Sequence, residues 1–534
     1  MAVVSLRQPA PSVPAQAASR RFAPRRVSRR WRRPPTRWMV VGGLLALTAA
    51  SLVLRSRALS SHYWVDEGIS VGIASHPLSE LPSLLRQDGS PPLYYALLHV
   101  WITAWGSGEV ATHWLSLIFA LVTIPVAYWA GASLLGRRVG AYCAVLAAGV
   151  PFLTSYAQET RMYSLLVLLS LLVGASFAHA FVLRRRRYLP LFAVSLAAVL
   201  YTHNWALFLG LATFAAYLAC LVTSRDRRAL ARDGALGFGV VALLYLPWLP
   251  TLLYQARHTG APWALPPDVW SLSQGAYFIV GGRGAAVALL LGAGSGLLQV
   301  RAAGGERAAG RTAAMLLAIG LGTLLVAWVY AKTTPAWSFR YLAVIVGPLL
   351  LAVGLGLARA SRLGVAALAL VCCFWVLDPV ATSRDAKSNV ASVAHAVGAR
   401  TGTDALVLST QPEQVPTLAY YLPQVRHFAT PLGRVPDPGV VDWRNALQRF
   451  RHSSVTTVLA PLLRRVTAGE HVDLVLPLRI QKAPEWMRLI RRADASWARY
   501  LAHDRHLRLV TQSRVGDSPS GTPVEILVYA ATGP

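Results

Sequence analysis

The stretch WMVVGGLLALTAASLVLRSRALSSHYWVDEGIS, residues 38–70, sets a long apolar run ahead of two adjacent acids. Residues 38–54 carry no charge, and a helix needs roughly 17–25 such residues to cross a bilayer. Asp66 and Glu67 follow soon after the chain leaves that run. With only 23 acids among 534 residues, their position at a membrane edge invites a chemical explanation.

Composition supports the membrane. Hydrophobic residues make up 54% of the chain and charged ones 14%, against about 25% charged in soluble domains. The net charge of +29 does not read as nucleic-acid binding, because the basic residues sit between apolar runs. Residues 1–37 hold ten arginines and no acid, and further clusters occur at 136–138, 184–187, 225–233, 301–311 and 359–362. That spacing is the positive-inside pattern. Cys143, Cys220, Cys372 and Cys373 all lie in apolar runs, without metal-ligand spacing.

With the basic clusters placed in the cytoplasm, apolar runs fall at 38–54, 114–135, 139–157, 163–183, 188–202, 205–222, 234–253, 284–300, 312–331, 341–358 and 363–377. The sequence thus predicts a polytopic α-helical membrane protein of about eleven transmembrane helices. Residues 1–37 form a disordered cytoplasmic tail, 38–378 the membrane domain, and 379–534 an extracytoplasmic α/β domain. Within the first outer loop, 55–113, the segment PLYYALLHVWITAWG (92–106) is apolar. As a helix it reaches only about 22 Å, short of a hydrocarbon core of roughly 30 Å. It is therefore read as interfacial, with its aromatics at headgroup depth. In the tail, 404–410, 454–463, 471–478 and 523–531 read as strands, and 388–400 and 442–452 as helices.

The unusual polar residues gather on the outer face. The pair Asp66 and Glu67 fits a solvated loop start, a divalent-cation site or a general base with its partner. In DGSPPLYY (88–95), Pro91 and Pro92 fix the backbone before Tyr94, either as a helix start or as a floor for the Asp66 site. QETRMY (158–163) places Glu159, Arg161 and Tyr163 at a span end, where Arg161 snorkels or Glu159 joins Asp66. His203 and Asn204 cap a span or line the site. Lys332 and Arg340, in KTTPAWSFRYL (332–342), are cations on the outer side, where the charge bias disfavours them. An anion such as a lipid phosphate accounts for that placement.

The Asp-Glu pair after a first span, the PPLYY turn, QETRMY and FRYL together resemble the GT-C superfamily of membrane glycosyltransferases. The likeness is to the branch of protein O-mannosyltransferases and the lipid A aminoarabinose transferase, covers roughly residues 38–380, and suits actinobacterial members with an appended outer domain. It implies an inverting transfer of a hexosyl or pentosyl group, mannose or arabinose-like, from a polyprenyl-phosphate donor on the outer face of the cytoplasmic membrane. The acceptor would be a glycan, lipid or protein. Asp66 then stands at the catalytic acid position with Glu67 beside it, and Arg340 near the donor phosphate. No cofactor is required, though Asp66, Glu67 and Glu159 would hold a divalent cation if they converged.

Two other classes compete: a transporter or flippase of envelope glycolipids, and a non-catalytic lipid-binding relative. Ion-coupled carriers place ionisable groups near the bilayer midplane. The runs above contain no Asp, Glu, Lys or Arg in their interiors.

Overall fold

The computed structural model describes residues 37–302, 307–378, 387–398, 401–480, 484–515 and 523–532. The tail expected at 1–37 lies, but for its last residue, outside them, as does the expected domain boundary after 378.

Eight helices among the described residues are long and apolar enough to cross a membrane: Arg37–Arg55, Glu109–Leu135, Tyr163–Val182, Ala206–Thr223, Arg227–His258, Arg283–Arg301, Arg307–Thr333 and Phe339–Arg359. The other three expected spans form shorter helices. Residues 139–157 divide into Arg137–Gly149 and Pro151–Tyr156, because Pro151 cannot donate to the preceding turn. Leu189–Leu200 has 12 residues and Ser361–Leu377 has 17. Tyr163–Val182 and Phe339–Arg359 are nearly enclosed by their neighbours, and both are apolar on every face, as buried helices are. Segment 92–106 is the helix Leu93–Trp105, closed by Gly106 at φ 84°. It buries Tyr94, Tyr95 and Leu98 and leaves Leu97, Val100 and Trp105 exposed.

The C-terminal part is a small α/β domain with strands β1 (Leu406–Ser409), β2 (His427–Thr430), β3 (Gly433–Val435), β4 (His471–Pro477), β5 (Leu507–Ser513) and β6 (Val524–Ala531). Their order is β3-β2-β1-β4-β6-β5. β2, β1 and β4 run parallel and the outer pairings are antiparallel. One sheet face packs on Val390–Gly398 and Val415–Tyr421. The other packs on the C-terminal half of Glu485–His503, through Trp497 and Leu501. The N-terminal half of that amphipathic helix, with Trp486 and Ile490, joins the core of the membrane domain.

Segment 454–463 is not a strand. Ser454 Oγ accepts from Thr457 N–H at 3.1 Å, and Thr457 Oγ1 accepts from Ser454 N–H at 3.0 Å. This reciprocal cap starts a helical turn, which continues as Val455–Leu459 and Ala460–Leu463. Strand-like composition is overruled by the cap.

The domain docks on the segments bearing the polar motifs. Tyr421 OH accepts from Tyr63 N–H at 2.7 Å and donates to Glu109 at 2.9 Å. Trp443 N–H donates to Gln87 O at 3.1 Å, and Asn445 N–H to His258 O at 2.7 Å. The helix Val65–Ala74 meets Thr417 at Gly68 and the backbone of Gly439 at Gly72, contacts that leave no room for a Cβ.

Candidate active site

Trp64, in extended conformation, caps the helix Val65–Ala74, which places Asp66 and Glu67 in its first turn. Carboxylates are favoured there by the helix dipole. Successive helical residues point about 100° apart, so the two acids part company at once.

Asp66 faces a cavity and two guanidiniums. Arg340 Nη1 lies 2.8 Å from Asp66 Oδ2, with both side chains about 15% exposed. Arg161 Nη2 is 3.8 Å from the same oxygen, and its Nη1 donates to Asp66 O at 3.1 Å and to Ser70 Oγ at 2.8 Å. Arg340 also lies over the ring of Trp64 at 5.3 Å. The cations are thereby aimed, and a displaced carboxylate would leave them ready for another anion.

Glu67 is fully buried and turned away from the cavity. Its carboxylate accepts from His113 Nε2 at 2.7 Å, Thr160 N–H at 2.7 Å, and Lys387 Nζ at 2.8 and 3.0 Å. Lys387 further donates to Gln158 O at 2.9 Å. Burial alone would raise this carboxyl, but Lys387 and His113 outweigh it and hold it down at about 2. Glu67 is therefore a buried anion joining three segments, rather than a second carboxylate facing the cavity.

The cavity measures about 500 Å³. Trp64, Asp66, Asp88, Pro91, Tyr95, Arg161, His203 and Asn204 line its polar side; Trp205, Leu207, Phe208, Leu252 and Tyr330 form an apolar side. Gln411, Glu413, Trp443 and Met487 enter from the C-terminal domain. Pro92 starts the helix Leu93–Trp105, and Tyr94 OH meets Ser116 Oγ at 3.3 Å in the core, so neither lines the cavity. Gly89 at φ 96° allows the turn before the prolines, and Asn204 Nδ2 donates to its carbonyl at 2.9 Å. His203 Nδ1 accepts from Trp205 N–H at 3.1 Å. Burial and the charges of Arg161 and Arg340 hold its imidazole neutral, down at about 3.

Tyr163 packs behind His203, ring centroids 6.1 Å apart, and beneath Arg161 at 5.7 Å. Glu159 sits behind Asp66 without lining the cavity. Burial and the negative charge of Glu67 push its carboxyl up, to about 8. Lys332 is not brought to this group: it is exposed and lies over the ring of Trp328 at 4.5 Å.

No family model and no curated protein sequence matches this chain. Solved structures do. ArnT from Cupriavidus metallidurans bound to undecaprenyl phosphate aligns over 94% of this chain and 100% of its own, at 14% identity and a TM-score of 0.59. The oligosaccharyltransferase of Archaeoglobus fulgidus in its apo form aligns over 83% of this chain and 70% of its own, at 11% identity and 0.53. The arabinofuranosyltransferase AftD from Mycobacteria aligns over 94% of this chain and 40% of its own, at 15% identity and 0.51. The fold is that of the GT-C glycosyltransferases. At such identities the likeness concerns architecture, and the chemistry rests on the residues above.

Within the GT-C architecture, four side chains at or behind the site escaped the sequence reading: Asp88, His113, Lys387 and Glu413. Asp88 opens DGSPPLYY, a motif whose prolines are the stronger local signal, and burial pushes its carboxyl up to about 6. Lys387 is one of three lysines in an arginine-rich chain, the same rarity that singled out Lys332. His113 and Glu413 carry no local signal. Among the described residues no group of three or more His, Cys, Asp or Glu side chains has metal-ligating geometry.

Proposed function

We propose that this protein is an inverting glycosyltransferase. It would move a sugar from a polyprenyl-phosphate donor to a hydroxyl acceptor at the outer face of the cytoplasmic membrane. The observation carrying this reading is the Asp66–Arg340 contact of 2.8 Å beside a cavity with an apolar side. A polyprenyl donor cannot leave the lipid, so its phosphate and sugar must be met by a cation and a base at headgroup depth. Arg340 and Arg161 are the cations, and Asp66 is the base. The apolar side, next to the exposed Leu211, Phe214 and Leu218 of the helix Ala206–Thr223, suits the prenyl chain.

In the proposed step, donor phosphate draws Arg340 off Asp66, which is then free to accept a proton. Asp66 takes the proton of the acceptor hydroxyl as that oxygen bonds to the anomeric carbon. The bond from that carbon to phosphate breaks, and its electron pair leaves on polyprenyl phosphate beside the arginines. Attack opposite the departing group inverts the centre. Charge spreading toward an oxocarbenium-like state is stabilised by the carboxylate, and the growing phosphate charge by guanidinium. ArnT was solved with undecaprenyl phosphate and the Archaeoglobus enzyme with dolichol-phosphate and an inhibitory peptide, which supports a polyprenyl-phosphate ligand here.

The test is transfer by the purified full chain from a panel of polyprenyl-phosphate sugars, mannose and arabinofuranose included, with and without chelator. Asp66→Asn should lower turnover by at least about 100-fold, in the range of a lost general base, while donor binding persists. Full turnover in that variant sinks the assignment.

A further inference from the structure

The C-terminal domain does more than cover the cavity. Gln411 and Glu413 line it, and Glu413 is 6% exposed. Glu413 Oε1 accepts from Trp486 Nε1 at 3.2 Å and from Gln411 Nε2 at 3.1 Å, whereas Oε2 is buried without a partner. Gln411 Oε1 is in the same state. On the facing walls the pattern repeats. Asn204 gives its amide N–H to Gly89 O, and Gln255 gives its own to Leu85 O and Ser90 O. The carbonyl oxygens of both are left buried and unpaired. In all three amides the NH2 faces an oxygen, which fixes the orientation chemically. On these four residues the leftover atoms are hydrogen-bond acceptors, while Trp64 Nε1, Arg161 Nε and Tyr95 OH of the same lining are unpaired donors.

Buried polar atoms in native proteins have partners, so unpaired acceptors and donors on residues lining one cavity call for a ligand whose groups, like hydroxyls, both donate and accept. Phosphate and carboxylate groups offer no donor when ionised. The cations of the proposed donor site, Arg340 and Arg161, gather at Asp66, whereas the lining from the C-terminal domain carries Glu413 and no cation. An anionic acceptor group would find no counter-charge on that wall. A neutral carbohydrate supplies several O–H donors, and its size suits about 500 Å³.

We propose that Gln411 and Glu413 form the subsite that recognises the acceptor, and that the acceptor is a neutral glycan. This rests on the transferase reading for the word acceptor: a lipid-borne donor occupies the apolar side, leaving the C-terminal wall for the second substrate. The carbohydrate-binding claim stands apart from it. Glu413 is a specificity-determining residue, holding a second hydroxyl while Asp66 addresses the attacking one.

The test uses the full chain in nanodiscs. Tryptophan fluorescence measures binding of neutral mannose or arabinose oligosaccharides with no donor present. The wild type should bind, and Glu413→Ala and Gln411→Ala should each bind at least tenfold more weakly. Glu413→Gln, which preserves the shape, should fall between if the thermal midpoint is unchanged. In transfer assays Glu413→Gln should raise the acceptor KM more than it lowers kcat. No binding to the wild type overturns the proposal, as does preferred transfer to a serine peptide or a lipid phosphate. Binding without any transfer leaves the glycan subsite standing and sinks the transferase reading instead.

Discussion

Lys387 Nζ lies 2.8 Å from Glu67 Oε2, an ion pair between the start of the C-terminal domain and the turn that carries Asp66. Glu67 is wholly buried and Lys387 is 15% exposed. Removing one partner of such a pair leaves an uncompensated charge, at a cost of about 3–5 kcal/mol. Lys387→Met should therefore lower stability by that order and displace Asp66, with turnover falling in parallel. Lys387→Met combined with Glu67→Gln should recover much of the stability, since both charges are gone. Thermal unfolding of the four proteins in detergent, analysed as a double-mutant cycle, measures the coupling. A coupling near zero would mean that the contact is incidental.

Arg340 carries the second prediction. Its guanidinium already holds one anion, Asp66, at 2.8 Å, and hydrogen bonds to charged groups are worth about 1.5–3 kcal/mol. Arg340→Gln should weaken polyprenyl-phosphate binding by about tenfold or more, the equivalent of about 1.4 kcal/mol or more. Arg340→Lys keeps the charge without the planar fork, so its loss should be smaller. Lys332→Gln should change donor affinity by less than twofold. Equilibrium binding of a fluorescent polyprenyl phosphate separates these cases, and equal losses at 332 and 340 would contradict the geometry.

How much of this was legible beforehand depends on the range of each signal. Asp66 and Arg340 announced themselves because a charge at a membrane rim is costly and scarce, a property visible in a window of twenty residues. Their contact, across more than 270 residues, follows only from packing. Lys332 is as scarce a charge, yet it lies over Trp328, and composition does not tell a cation resting on a ring from one pointing at a ligand. Glu67 looked like a catalytic partner by adjacency, and helix geometry turned it inward instead. Its partners His113 and Lys387 are 46 and 320 positions away, beyond any local pattern. Strands β1, β4 and β6 showed their alternation. β2 is as short as β1 but lies in RHFATP, without the apolar run DALVLST that marks β1, and β3 has only three residues.

Glu159 supplies a pH dependence. Burial and the charge of Glu67 raise its carboxyl from the usual 4.5 to about 8. Because its folded value lies above the unfolded one, the folded state binds the proton more tightly. The resulting stability is complete below about pH 4.5 and fades as pH rises toward 8. Glu159→Gln removes that slope. The variant and wild type should melt together near pH 4, and the variant should be the more stable at pH 9. Melting curves across this range decide it; parallel profiles would show that Glu159 is ionised throughout.

The docking of the C-terminal domain gives a prediction in which the sign is the test. Glycine inside a helix normally costs about 0.5–1 kcal/mol relative to alanine. Gly239, within the helix Arg227–Tyr245, has open space where a Cβ would stand. Gly239→Ala should therefore raise the melting temperature slightly. At Gly68 the same methyl group would meet the side chain and backbone of Thr417, and at Gly72 the carbonyl of Gly439. Backbone cannot yield as a flexible side chain does, so the helix Val65–Ala74 and the domain must separate. Gly68→Ala and Gly72→Ala should thus be destabilising where helix propensity alone predicts a gain. Since separation also withdraws Gln411 and Glu413 from the cavity, glycan binding should weaken with stability, whereas polyprenyl-phosphate binding at Arg340 should be less affected. Melting and the two binding assays on the three variants give the answer. A stabilised Gly68→Ala would mean that the domain does not sit on this helix in the membrane.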